Sequence, residues 1–99
     1  MTFSIVARCA TTGQFGVAIS SSSPAVAARC AHARAGVGAV ATQNITNPAL
    51  GPLMLDRMAA GNWADAAVAA AATADPYPDH RQLLAIDRHG HTAVHSGPN

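Results

Sequence analysis

Small polar residues follow a glycine-rich apolar stretch and come just before a predicted helix: Thr42, Gln43, Asn44 and Asn47. A turn between a strand and a helix offers backbone N–H groups, and nearby amide or hydroxyl side chains can hold an oxyanion or a substrate carbonyl. These residues are therefore candidates for substrate binding. The structural alternative is that Asn47 caps the helix and that the others make hydrogen bonds within the loop.

A serine run, Ser20–Ser23, stands where the second predicted strand ends. Ser21 can line a pocket there, or the whole run can be a plain polar turn. We keep Ser21 as a further candidate for substrate binding.

Histidines near the C-terminus offer a competing chemistry. His89, His91 and His95 are spaced by even numbers, so on a strand they share one face, where a cysteine can join them around zinc. However, His89 falls in a predicted turn, and strand neighbours chelate less readily than a helical i, i+4 pair. The sequence therefore predicts solvated histidines, no metal site and no cofactor. Cys9 and Cys30 form no C-x-x-C motif and are predicted to be small buried residues.

The first elements that must position these residues are strands. Phe3–Arg8 alternates apolar and polar residues, Thr11–Gln14 supplies turn chemistry, and Phe15–Ser20 returns as a second strand. The stretch Ala25–Ala35 fits a helix or a strand. Gly36–Gln43 is a short uncharged apolar run and predicts a buried strand.

Two helices and a closing hairpin follow. The first helix is predicted to run through Ala60 and to end at Gly61, and Asn62 is predicted to cap a second, alanine-rich helix over Trp63–Thr73. The stretch Arg81–His95 predicts a hairpin with its turn at residues 88–90. Strands, two helices and strands in this order indicate an α+β fold with helices on a mainly antiparallel sheet.

The composition narrows the classes of function. The 99 residues suit one domain, with a net charge of +1 and a hydrophobic fraction of 49%, roughly half of it alanine. No basic stripe indicates nucleic acid, no apolar run approaches the roughly 20 residues of a membrane helix, and no signal-peptide pattern begins the chain. We therefore expect a cytoplasmic protein that binds neither nucleic acid nor membrane. Its small, alanine-rich core indicates either that a partner surface completes it or that the genome's composition favours alanine codons.

The sequence stops soon after its last predicted strand, at Ser96-Gly97-Pro98-Asn99. A sheet that has just turned a hairpin normally continues into another element. We expect either a fragment or a chain that was cut from a longer precursor.

Three stretches together resemble the DUF1028 family, which is assigned to the Ntn-hydrolase-like (N-terminal nucleophile) superfamily: Met1–Arg8; Ala33–Gln43 with Thr46-Asn47-Pro48 and Gly51-Pro52; and Asp75-Pro76 with Arg81-Gln82. The resemblance implies a four-layer αββα sandwich, of which residues 1–99 form the N-terminal portion. It also favours Thr42, Gln43 and Asn47 among the polar candidates. Members are roughly twice as long, so the fold is expected to be completed by a second chain.

The implied chemistry is hydrolysis of an amide-type C–N bond. In such enzymes the first residue of a chain attacks the carbonyl through its hydroxyl or thiol, and its own α-amine is the general base. That amine titrates at about 7.7–8.0, so it can accept the hydroxyl proton without a histidine.

Two placements of the nucleophile compete. In the first, the residue following Asn99 attacks the Asn99 carbonyl, and the precursor splits into an α chain and a β chain with a new N-terminal nucleophile. Gly97 and Pro98 allow the tight turn that this step needs. In the second, Thr2 is the nucleophile once Met1 is removed; the absence of lysine from the chain weighs against this, because proteasome-type sites use one.

The sequence thus predicts the α subunit of a self-cleaving amidohydrolase, with Asn99 and Thr2 as candidate catalytic residues. The expected substrate is a small amide, imide or ureido compound, and the expected assembly is an oligomer of αβ units. The alternative is a non-catalytic binding or assembly protein that has the same fold.

Overall fold

The computed structural model of the protein describes residues 2–21, 31–44 and 49–97. Six strands, two helices and one short 3-10 turn follow one another along these ranges: β1 (Thr2–Arg8), β2 (Phe15–Ser21), β3 (Ala31–Arg34), β4 (Gly38–Asn44), α1 (Leu50–Ala59), α2 (Ala64–Ala74), the 3-10 turn (Pro78–His80), β5 (Arg81–Asp87) and β6 (Thr92–Ser96). This order confirms the α+β class and both predicted hairpins. Within the ambiguous stretch Ala25–Ala35, the described part is a strand and not a helix.

The strands form two antiparallel sheets. Strands β1 and β2 make a two-stranded hairpin, whereas the other four make a sheet in the order β3-β4-β5-β6. The larger sheet places its two tight turns, β3–β4 and β5–β6, at the same end, because Gly38 at the start of β4 pairs with Asp87 at the end of β5.

One face of the larger sheet packs against the two helices. Val40, Leu83 and Ala85 from this face are fully buried, and they join a core that also contains Met54 and Met58 of α1. Helix α2 contributes mainly small side chains: Ala64, Ala67, Val68 and Ala71. Because alanine has no side chain beyond Cβ, α2 can lie close to the sheet, and the larger side chains of the core come mainly from α1 and the sheet.

The opposite face of the sheet lies under the β1–β2 hairpin. The half-buried residues of β1, namely Ser4, Val6 and Arg8, alternate with exposed ones, as in a strand covered on one side. Beneath the hairpin, Ala39 and Ala41 of β4 are buried outside the helix-side core. The described residues therefore form three layers: helices, four-stranded sheet, hairpin.

Helix α1 ends in a left-handed glycine, as predicted. Gly61 has a φ of 107°, its N–H donates to the Met58 carbonyl at 3.1 Å, and the Asn62 N–H donates to the Arg57 carbonyl at 3.1 Å. This pair of hydrogen bonds is the Schellman arrangement, which closes a helix where a residue without Cβ can adopt positive φ.

The predicted cap of α2 by Asn62 is wrong. The side-chain Nδ2 of Asn62 donates back to the Arg57 carbonyl at 3.0 Å, so this residue belongs to the end of α1. The N-cap position of α2 is Trp63, whose side chain makes no capping hydrogen bond. The first N–H of the helix, that of Ala64, instead donates to the Asp87 carboxylate, 23 residues away in sequence, at 2.9 Å.

Gly38 occupies a position where a side chain does not fit, and this gives a stability prediction. A Cβ there would collide with the Ile86 carbonyl oxygen and would lie 2.7 Å from Met58 Cε. The Ile86 backbone is held in the sheet, so it cannot move away. We expect Gly38→Ala to lower the free energy of unfolding by about 1–3 kcal/mol, as measured by urea denaturation.

A matched control is available in the hairpin. A Cβ on Gly16 of β2 would meet nothing within 4 Å, so Gly16→Ala is expected to stay within about 0.5 kcal/mol of the wild type. Equal stability of the two variants would contradict the close approach at Gly38.

Candidate functional site

The strand register gathers several of the predicted site residues at one end of the layers. Thr2 begins β1 and pairs with Ser21, the last residue of β2. In the larger sheet Gln43 pairs with Gln82, which in turn pairs with Ser96 at the end of β6. We call the end that carries these five residues the polar end; it lies opposite the tight turns of the larger sheet.

A small cavity between the hairpin and the sheet lies near the polar end. It has a volume of about 140 Å³ and is lined by Ser4, Gln82, Leu83, Leu84 and Val94. Ser4 and Gln82 supply polar groups and Leu84 and Val94 supply an apolar wall, whereas Leu83, whose side chain lies in the helix-side core, lines the cavity with its backbone. Because Thr2 is two residues before Ser4, its backbone lies about 7 Å further along the strand. The cavity therefore fits only a small chemical group close to the start of β1.

Thr42 and Gln43 lie in the strand predicted over Gly36–Gln43, which confirms that prediction, and not in the strand-to-helix turn expected for substrate binding. They lie within β4, where they pair with Leu83 and Gln82 of β5, so the strand ladder uses their backbone groups. Thr42 is 1% exposed and pairs with Leu83 of the helix-side core. Its hydroxyl has no hydrogen-bond partner among the described residues. Thr42 is thus separated by the sheet from the cavity on the hairpin side.

The remaining candidates are only partly described. Asn47 and Asn99 lie outside the described residues, and for Thr2, Ser21 and Gln43 the backbone alone is described. The chain leading towards Asn99 is held by a contact: a ring nitrogen of His95, Nε2, lies 2.9 Å from the Pro78 carbonyl oxygen. The contact holds the end of β6 against the 3-10 turn.

The histidines and cysteines differ in part from expectation. His89 and His91 are exposed, as predicted, but His95 is half-buried and its ring is hydrogen-bonded to the Pro78 carbonyl. Cys9 is exposed and not buried, because it lies in the β1–β2 turn and not in a strand; Cys30 lies outside the described residues. Within the described ranges, no three His, Cys, Asp or Glu residues come together as a metal site would require.

Asp87, the buried carboxylate at the turn end of the sheet, is not among the candidate residues that the sequence indicated. Asp87 is 2% exposed. Its Oδ2 accepts the Ala64 N–H at 2.9 Å, and its Oδ1 accepts the N–H groups of His89 at 2.9 Å and His91 at 3.0 Å. The sequence does contain a signal for a turn that starts at this residue, because Asp87 stands three residues before Gly90, a spacing typical of a tight turn. In the structure the Gly90 N–H donates to the Asp87 carbonyl at 3.0 Å.

The charge state of Asp87 follows from these contacts. Burial alone raises the pKa of the carboxyl, but the hydrogen bonds from the N–H groups of Ala64, His91 and His89 outweigh burial and hold the pKa below its ordinary value. Nδ1 of His91 also lies 3.4 Å from Oδ2, and the His91 ring stacks on Trp63 with 4.4 Å between centroids. Because its oxygens are occupied, Asp87 is an ionised structural anchor and not a proton carrier.

No helix in the described ranges is long and apolar enough to cross a membrane.

Comparison with known proteins confirms the resemblance seen in the sequence. The model of the family described as a family of unknown function, DUF1028, matches residues 2–99. The crystal structure of SPO2555 from Silicibacter pomeroyi, which is described as a DUF1028 protein, is similar to this chain with a TM-score of 0.92 and 29% sequence identity. None of the curated proteins matches the chain.

The match to SPO2555 covers 97% of this chain and 45% of that chain. The present chain thus spans less than half the length of its solved relative. Since the family model matches nearly the whole sequence, the chain belongs to the DUF1028 family.

Proposed function

We propose that the chain is part of an amide hydrolase of the N-terminal nucleophile type, acting on a small amide, imide or ureido compound. The observation that carries the proposal is that β1 starts at the polar end, near a cavity between two stacked sheets. Ser4 and Gln82 supply the polar lining of this cavity. An N-terminal nucleophile needs this position, because its hydroxyl and its α-amine must both reach a substrate carbonyl.

The layers support the same proposal. Helices, sheet and hairpin are three of the four layers of an αββα sandwich, and the outer face of the hairpin is uncovered among the described residues. Ile5 on that face is 61% exposed, and Ala7 and Ala18 are exposed as well. A second helical layer would bury this apolar face. We propose that a further segment, on the same chain or on a second one, supplies it; the greater length of SPO2555 supports this.

We place the nucleophile at Thr2, freed by removal of Met1. Its hydroxyl attacks the substrate carbonyl, and its α-amine takes the hydroxyl proton and passes it to the leaving nitrogen. The Gln82 amide, at the edge of the cavity, donates a hydrogen bond to the substrate or to the oxyanion. Water then hydrolyses the ester on Thr2 and regenerates the free hydroxyl and amine.

A second placement also has support from the register. Strand β6 ends at the polar end, since Ser96 pairs with Gln82, so a nucleophile that follows Asn99 would start near the same cavity. This version requires cleavage into α and β chains and an assembly of αβ units. SPO2555 includes the equivalent of nearly all of this chain within a polypeptide more than twice as long. We therefore prefer Thr2, which needs no internal cleavage.

A covalent probe tests the proposal on the purified full-length protein. A small β-lactone acylates a hydroxyl by ring opening: the lactone C–O bond breaks, an ester forms, and the displaced oxygen takes the hydroxyl proton. We expect one adduct, mapped by peptide mass spectrometry to Thr2 in a protein that lacks Met1. An adduct on a chain that starts after Asn99 would replace Thr2 by the second placement.

Hydrolysis of small amides, imides and ureido compounds should be screened in parallel. If no adduct forms and no compound is hydrolysed, the enzyme is excluded and the non-catalytic binding or assembly protein takes its place.

A further inference from the structure

We propose that a groove at the turn end, opposite the polar end, binds a small organic anion through a carboxylate or phosphate group. The groove has a volume of about 770 Å³ and forms where the β1–β2 turn meets the β3–β4 turn and the residue after β5. Its lining includes Arg8, Gln14, Phe15, Ala33, Gly36 and Arg88. We call it the arginine groove.

The arginine groove carries two cations and no acid. Arg8 and Arg88 line it, and none of its lining residues is Asp or Glu. This local charge of +2 stands out in a chain whose net charge is +1. Guanidinium groups present planar pairs of N–H donors that match carboxylate and phosphate oxygens, so two of them in one groove favour an anionic ligand.

Among the described residues, neither guanidinium group pairs with an acid. Nε of Arg8 is buried and has no hydrogen-bond partner among the described residues, although a buried donor normally has one. Nε of Arg88 lies 3.5 Å from Nε2 of the exposed His89, which is a long contact. By contrast, Arg34 is already engaged, because its NH1 lies 3.0 Å from Oδ1 of Asp56.

The nearest acid in sequence does not neutralise the arginine groove. Asp87 precedes Arg88, but its oxygens accept the N–H groups of Ala64, His89 and His91 and face Nδ1 of His91. That carboxylate is therefore committed to holding the turn. The positive charge of Arg8 and Arg88 remains available to a ligand.

The size and walls indicate an organic anion and not an inorganic ion. About 770 Å³ falls within the usual range of pockets for small organic molecules, roughly 300–1,000 Å³. Phe15 and Ala33 provide apolar walls. The Thr12 hydroxyl contacts Oε1 of Gln14 at 3.3 Å, which leaves the Gln14 NH₂ group as a further donor.

The arginine groove is separate from the proposed catalytic end. Arg8 and Thr2 are the two ends of β1, and seven strand residues span about 20 Å. Binding in the groove therefore does not depend on the proposed hydrolysis, and either proposal can fail alone.

Titration calorimetry on the full-length protein tests this inference with two matched pairs of probes, succinate against succinamide and glycerol 3-phosphate against glycerol. We expect saturable binding of at least one anion and none of the neutral partners; which anion binds tells whether the groove takes carboxylate or phosphate. We expect Arg8→Gln and Arg88→Gln each to weaken binding about tenfold. Arg57→Gln, which removes the same charge from the exposed face of α1, should change it less than about twofold.

Three results would overturn the arginine groove as an anion site. They are no binding of either anion, equal binding of a neutral partner, or equal weakening by Arg57→Gln. Because Arg88 is exposed, its variant should keep the wild-type melting temperature, so the Arg88 result decides the matter even if Arg8→Gln is unstable.

Discussion

Replacing Thr2 by alanine is expected to abolish both the β-lactone adduct and the hydrolysis of any small amide that the screen identifies. Without the hydroxyl no ester can form, and loss of a nucleophile lowers kcat by roughly 10³-fold or more. Thr2→Ser replaces the secondary hydroxyl by a primary one and keeps the adjacent amine at the same place, so it should retain the adduct and most of the rate. The measurement is kcat/KM for the best substrate, together with intact mass after labelling.

Thr73 provides the control, because it is an exposed threonine near the end of α2. Thr73→Ala should leave labelling and rate unchanged. Full activity of Thr2→Ala in a well-folded protein would exclude Thr2 and leave the residue after Asn99, or no nucleophile at all.

The second large effect is expected at Asp87. Truncation to alanine would leave the buried N–H of Ala64 and the part-buried N–H groups of His89 and His91 without their acceptor. Loss of buried, charge-assisted hydrogen bonds at a helix start and a turn costs about 3–5 kcal/mol. We expect Asp87→Ala to lose that much of its free energy of unfolding, measured by urea denaturation, or to be largely unfolded at 25 °C.

Two related variants make the Asp87 result specific. Asp87→Asn keeps one carbonyl acceptor but loses the charge, so it should lie between Asp87→Ala and the wild type. Asp79→Asn makes the same chemical change at an exposed position and should stay within about 0.5 kcal/mol. Similar losses in Asp79→Asn and Asp87→Asn would contradict the role of the buried carboxylate.

Asp87 also predicts how stability depends on pH. Its pKa in the folded protein is lower than in the unfolded chain, whose ordinary value is 3.8. The unfolded chain therefore binds the proton more readily, so this contribution is fully present above the unfolded pKa and is lost as pH falls through the folded pKa. Denaturation curves between pH 7 and pH 2 should show a loss at the acidic end that Asp87→Asn no longer shows.

Local patterns were sufficient to predict most of the elements. Alternating residues in β1 and β2 identified the first hairpin, and Gly61 identified the end of α1, because each signal lies within a few residues of the structure it specifies. The alanine-rich stretch Trp63–Thr73 also identified α2 to within one residue at each end.

Contacts between distant residues were not predictable in the same way. Asn62 looks like a cap because it stands just before a helix, but Asp87 takes that role from across the fold. The apolar run Gly36–Gln43 predicted a strand but not its partner, and Thr42 pairs with Leu83 of β5, about 40 residues away in the sequence. The arginine groove combines residues from three turns, so no single stretch of sequence contains its pattern.

The hydrogen bond from Ala64 to Asp87 joins the start of α2 to the last residue of β5. Helix and strand cannot separate without breaking this hydrogen bond between a buried amide and a buried carboxylate. The second helix and the β5–β6 turn should therefore unfold together as one cooperative unit. Among the described residues, the β1–β2 hairpin makes no comparable buried hydrogen bond to the sheet, so it should detach at a lower free-energy cost.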